Sequence, residues 1–301
     1  MVLIIGLGWG LLRIGFLSSP ALSELNRLTY WVGLPALLIE RISSATPALS
    51  SIGGMLLVLM GATVACILLS ALAAWIWRLP ARASVTLVHG AFRGNLIFVG
   101  LPVVIYAFAG SPQASALESA ALVASVPMVI FYNVTAVILM QPPGGWQPLM
   151  ALQRIGAGLV TNPILLATLA GMAMALTGIE FPAFAQRTLA AVGQMALPLA
   201  LLGIGGTLYA TRIRGRRRWA MAAATFKTAV SPLVGLMLGL WIGLSNEELR
   251  LVLIFLACPT ASAAFILVQH MEGDTALVAS TIMLSYLFAL PVMLLVLALT
   301  A

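Results

Sequence analysis

The stretch His89–Pro102, "HGAFRGNLIFVGLP", sets an arginine, an asparagine, three glycines and a proline inside one of the most apolar parts of the chain. Proline removes a backbone donor and clashes with the preceding turn. Glycine, here Gly94 and Gly100, allows non-helical dihedrals at little steric cost. An arginine at the centre of a membrane helix costs about 2.5–3.5 kcal/mol on insertion scales and marks a ligand or pathway site. Together these choices predict a broken membrane helix with chemistry at the break.

The rest of the chain supports a membrane setting. Of 301 residues, 62% are hydrophobic and only 8% charged, against about 25% charged in a soluble domain. Long apolar runs separated by short charged clusters read as an all-α polytopic membrane protein. The segments of about ten alternating residues that mark a β-barrel are absent from the sequence. The net charge of +7 does not read as nucleic-acid binding, because the basic residues gather in "TRIRGRRRW" and at the ends of apolar runs. Cys66 and Cys258 lie within apolar runs and read as free buried thiols, with neither a disulfide nor a metal framework. The first residues lack a basic n-region and a small-residue cleavage site, so they read as a first span and not as a signal peptide.

Charges, Pro/Gly clusters and hydropathy divide the chain into ten candidate helices, near 2–17, 22–40, 51–77, 84–109, 117–140, 160–178, 185–209, 219–243, 248–270 and 275–299. The Pro-, Gly- and Gln-rich stretch 141–154 is the natural cytoplasmic linker between two five-helix halves, 1–140 and 155–301. With both termini outside, Arg13, Arg27, Arg78, Arg82, Arg154, Arg212, Arg214, Arg216, Arg217 and Arg218 face the cytoplasm. Only Arg41, Arg187 and Arg250 face outward, so the positive-inside rule favours this orientation in the cytoplasmic (inner) membrane. Trp75, Trp77 and Trp219 read as interface anchors, and the 212–218 arginines as a cytoplasmic retention charge within reach of anionic lipid.

An odd number of spans per half makes the halves inverted repeats, as in many secondary transporters. Pro35 and Pro198 kink the second helix of each half, while Pro102 and Pro259 break the fourth and ninth. From Ser84 to Asn95 is about 16 Å and from Glu247 to Pro259 about 18 Å at a helical rise of about 1.5 Å. Both breaks therefore fall near the midplane of a hydrocarbon core about 30 Å thick, reached from opposite sides. Helix starts after Pro102 and at Thr260–Ser262 would aim positive dipole ends at the centre.

Arg93 and Lys227 are the charges inside the spans, and no Asp or Glu falls deep within one. That pattern points to an anionic substrate and away from a cation/proton antiporter. The candidate substrate residues are Arg93, Asn95, Gly100, Pro102, Gln194, Lys227, Cys258, Pro259, Thr260 and Ser262. Asn162-Pro163 reads as an N-cap and first-turn proline, Tyr132 and Asn133 as helix–helix hydrogen-bonding residues, and His89 as structural. The signatures of hydrolases and zinc proteases are missing, which argues against an enzyme; a membrane receptor without transport stays open at this point.

The segments "LNRLTYWVGLPALLIERI", "AFRGNLIFVGLPVV", "VTNPILLATLAGMAM", "MALPLALLGIGGTL", "FKTAVSPLVGLMLG" and "ACPTASAAFILVQ" run in the order of the auxin efflux carrier family. The chain resembles in particular its bacterial malate and malonate permease-like members. The resemblance implies ten spans in two inverted five-helix repeats with crossing helices 4 and 9, a sodium/proton-antiporter-like or bile-acid-symporter-like fold. It also implies elevator-type alternating access and a homodimer; no cofactor is expected, and the sequence leaves open whether H+, Na+ or neither drives transport of the small organic anion. Asn95, Pro102 and Pro259 match the family's crossover positions, and Lys227 its lysine before a proline in the eighth span. The first span and the 141–154 linker are short against other members.

Overall fold

Strong local signals set the helix ends. Asn162 caps a helix whose first residue is Pro163, its Oδ1 accepting from the Ile164 and Leu165 amides at 3.0 and 3.3 Å. Ser245 and Glu248 form a reciprocal capping box, satisfying two donors that a helix start leaves orphaned. Gly178 and Gly243 end helices with φ of +68° and +82°, a left-handed conformation that favours glycine.

The computed structural model describes residues 2–43, 49–139, 156, 161–179, 181–210 and 216–299. Its helices are α1 (Val2–Arg13), α2 (Ser19–Leu28), α3 (Leu34–Ser43), α4 (Leu49–Ile76), α5 (Ala81–Phe92), α6 (Leu101–Phe108) and α7 (Ala114–Leu139). There follow α8 (Pro163–Thr177), α9 (Ala183–Ala210), α10 (Arg217–Thr225), α11 (Ser231–Ile242), α12 (Asn246–Ala257), α13 (Ala263–His270) and α14 (Thr275–Leu299). Among the described residues, five helical runs are long and apolar enough to cross a membrane, namely Ile52–Ile76, Ala114–Leu139, Ala183–Tyr209, Arg217–Ile242 and Thr275–Ala298. Shorter apolar helices cover Leu3–Arg13, Leu96–Phe108 and Pro163–Thr177. The molecule is a polytopic, all-helical membrane protein. The 141–154 linker and Arg154, Arg212 and Arg214 lie outside the described residues.

Three widened π-turns interrupt the α-geometry, at Thr29–Gly33, Leu96–Gly100 and Phe226–Val230. Each ends two residues before a proline, at Pro35, Pro102 and Pro232. The Leu34 amide reaches back to the Thr29 carbonyl and the Ser231 amide to the Phe226 carbonyl. Skipping one carbonyl makes room for the pyrrolidine ring, which otherwise strikes the carbonyl four residues back. Pro127, Pro198 and Pro291 lie inside α-helices.

The chain divides into two units, each drawing on both sides of the 141–154 stretch. The first is Met1–Leu49, Ile97–Pro127 and Gly156–Ala210; the second is Ser50–Leu96, Met128–Ile155 and Thr211–Ala301. In the first, α1 packs along α9 and α3 along α8. Gly8 and Gly205 let α1 and α9 meet backbone to backbone, since a Cβ at either would strike the carbonyl of Leu202 or Ile5. Glu118, in the second turn of α7 and only 7% exposed, pairs with Arg41 at 3.1 Å. In the second, α10 packs against α5 and α14, and α11 against α12.

Candidate functional site

Two helices of the second unit stop inside it. Helix α5 ends at Phe92 and α12 at Ala257, and both chains then run extended for a few residues. Helix ends buried this way leave carbonyls without partners, and at membrane depth each must be satisfied by protein.

The two extended segments satisfy one another. Gly94 and Thr260 form an antiparallel bridge. The Asn95 amide donates to the Pro259 carbonyl at 2.8 Å, and the Ala261 amide to the Arg93 carbonyl at 2.9 Å. Two carbonyls at the end of α5 are met by side chains: Thr260 Oγ1 donates to Gly90 O at 2.8 Å and Cys66 Sγ to Ala91 O at 3.2 Å. Ser285 Oγ accepts from the Thr260 amide at 2.9 Å.

Lys227 completes the arrangement. Its side chain is fully buried, and its ammonium donates to the Leu256 carbonyl in the last turn of α12. A Cβ placed on Gly94 would come within 3.0 Å of Lys227 Cε and 3.3 Å of Nζ, so glycine is what lets the lysine stem pass. The ammonium thus sits at the C-terminal ends of α5 and α12, where helix dipoles are negative. The π-turn at Phe226–Val230 holds it there.

Beyond the bridge, polar groups face the other way. Arg93 is half-buried and donates from Nη2 to Asn133 Oδ1 at 2.7 Å. Asn95 Nδ2 donates to the Tyr286 hydroxyl at 2.9 Å, which also lies within hydrogen-bond reach of the Ser262 side chain. Ser262 is exposed and opens α13. One guanidinium, two amides, a phenol and a hydroxyl therefore gather within the second unit beside the start of α13, an arrangement suited to an oxyanion. Among the described residues, no cluster of three or more His, Cys, Asp or Glu could hold a metal.

The sequence model of a family of membrane transport proteins matches residues 1–297. The chain belongs to the auxin efflux carrier family. A comparison with curated proteins finds no match. The family is one of transporters, not of enzymes.

In this member of the auxin efflux carrier family, Arg93, Asn95, Lys227, Cys258, Pro259, Thr260 and Ser262 all belong to the second unit. Cys258 is buried and turns its thiol to the Ile254 carbonyl. Gly100, Pro102 and Gln194 belong to the first; the first two are buried within the π-turn and α6, and Gln194 is exposed on α9. The helix after the first break starts at Leu96, not after Pro102. Asn133 and Tyr286 are the residues that sequence reading did not bring to the site. Their signal was a polar side chain midway along an apolar helix, which usually means helix–helix contact. His89 lies in the last turn of α5, fully buried, its ring 5.5 Å from that of Phe92. An apolar cavity of about 520 Å³ between α11, α12 and α14 contains none of the predicted site residues.

Proposed function

We propose that this protein is a secondary transporter of a small organic anion, a mono- or dicarboxylate, working by elevator-type alternating access. The observation that carries this reading is the antiparallel Gly94–Thr260 bridge, which gathers Arg93, Asn95, Tyr286 and Ser262 beside the start of α13. Arg93 neutralises the carboxylate, Asn133 orients the guanidinium, and Asn95 with Tyr286 offers further hydrogen bonds. Lys227 acts through the crossover and not on the substrate. The second unit, which carries the crossover, is the transport domain, and the first is the scaffold.

The remaining features follow the same reading: ten spans in two inverted repeats, both termini outside the cytoplasmic membrane, H+ or Na+ as coupling ion, and a homodimer. A cation/proton antiporter is disfavoured because the acidic residues of the second unit, Glu247, Glu248, Glu272 and Asp274, stand at helix ends. The test is uptake into proteoliposomes across a panel of carboxylates, with and without H+ and Na+ gradients. A charge-assisted hydrogen bond is worth about 1.5–3 kcal/mol, so Arg93→Ala weakens apparent affinity by about 10–100-fold. Unchanged saturable uptake by that variant would remove Arg93 from the site, and uptake indifferent to the carboxyl group would remove the substrate class.

A further inference from the structure

At the other end of α5 and α10 from the crossover, two groups of arginines distant in sequence come together. Arg78 and Arg82 flank the start of α5; Arg216, Arg217 and Arg218 open α10. All five are exposed. What joins them is an apolar plug in which Ala83 and Leu87 pack with Ala220, Ala223, Ala224 and Leu277, with Leu79 and Trp219 laid against its edge. The starts of α5, α10 and α14 therefore converge, and three positive helix ends add to the arginines.

The two carboxylates nearby do not neutralise this end. Glu272 meets Arg82 at 3.4 Å, with both side chains largely exposed. Asp274 is occupied as the cap of α14, its Oδ1 accepting from the Leu277 amide at 2.9 Å. Among the described residues, five arginines thus face two acids. Arg216 lies over the Trp219 ring, 4.2 Å from its centroid, and Trp77 is half exposed beside Arg78. Arginine with tryptophan at the end of an apolar helix bundle matches the depth of lipid headgroups.

We propose that this end of the second unit binds the headgroups of anionic phospholipids. An orientation signal alone requires only that arginines lie on one side. The tertiary structure concentrates them instead, on the ends of the two helices that lead to Arg93 and Lys227.

The test uses purified full-length protein in mixed micelles of phosphatidylglycerol and phosphatidylcholine with equal acyl chains, and native mass spectrometry reads the retained lipid. Each arginine near a charged lipid surface contributes about fivefold, so the wild type enriches phosphatidylglycerol well above its bulk share. R216Q/R217Q/R218Q brings retention close to parity, R78Q/R82Q lowers it part-way, and R187Q, in the first unit, leaves it unchanged. Wild-type enrichment also collapses between ~0.05 M and ~1 M salt, as the screening length shrinks to about 3 Å. Equal retention of the two lipids by the wild type overturns the proposal. So does enrichment that survives high salt, or an R187Q loss as large as that of the triple variant, which would make the effect one of net charge.

Discussion

At Pro259 the helix stops, and its freed backbone pairs with a second extended segment; at Pro102 the helix continues, and a π-turn absorbs the missing donor. The same residue type therefore has opposite outcomes. The difference lies in what surrounds each proline. Around Pro259 the protein offers the Asn95 amide, the Ser285 hydroxyl and a buried ammonium within a few residues. Before Pro102 the carbonyls find donors by widening one turn, at no need of outside partners. A helix ends inside a membrane protein where other groups can take over its hydrogen bonds, and proline by itself does not compel it.

That contrast can be broken at several points. The largest effect belongs to Lys227→Met, which keeps the apolar stem and removes the cation from two helix C-termini. A buried carbonyl then loses its charged donor, and stability falls by about 3 kcal/mol, read as a lowered midpoint in thermal unfolding in detergent. A midpoint within about 1 °C of wild type, less than a 1 kcal/mol loss produces in a chain of this size, would mean the crossover stands without the ammonium. Next comes Gly94→Val, which sets branched carbon against the lysine stem. Overpacking of this kind costs about 1–3 kcal/mol, and the same valine in a Lys227→Ala background, which removes the carbons it strikes, should cost much less. Equal costs in both backgrounds would show that the two residues do not share the space.

Thr260→Val keeps the shape of the side chain and deletes its bond to the Gly90 carbonyl, at a cost of about 1 kcal/mol. Because that bond links the two broken segments, amide exchange at Asn95 and Ala261 should quicken while the ends of α14 do not change; uniform quickening across the unit would contradict a local role. The smallest effect is expected of Pro102→Ala. The restored amide allows the π-turn to relax toward α-geometry, and unfolding shifts by about 0.5 kcal/mol or less in either direction. A loss as large as that of Thr260→Val would place Pro102 among the residues that hold the break.

Much of this was legible in the residues. Gly94, Asn95 and the "ACPTASAAF" stretch mark breaks at helical depth, and the cap at Asn162 stands at its helix start; the Ser245 cap shows only in the structure. The restart after the first break lies several residues before Pro102, because the π-turn makes that proline an ordinary member of the next helix and not its terminator. Asn133 and Tyr286 were not legible as site residues. A lone polar side chain in an apolar run carries no record of which distant segment it meets, and Arg93 lies far from Asn133 along the chain, as does Asn95 from Tyr286.

The sequence alone determined that the chain is a helical membrane protein and where its helices fail. Both follow from local chemistry, because apolar length, caps, glycine and proline act within a turn or two of their own position. Only the tertiary structure decided that the two failures repair one another, that Lys227 serves helix ends, and that arginines from two separate stretches share one face. Those outcomes depend on which backbone groups and charges come within about 3 Å across the fold, and the order of residues along a chain does not fix that distance.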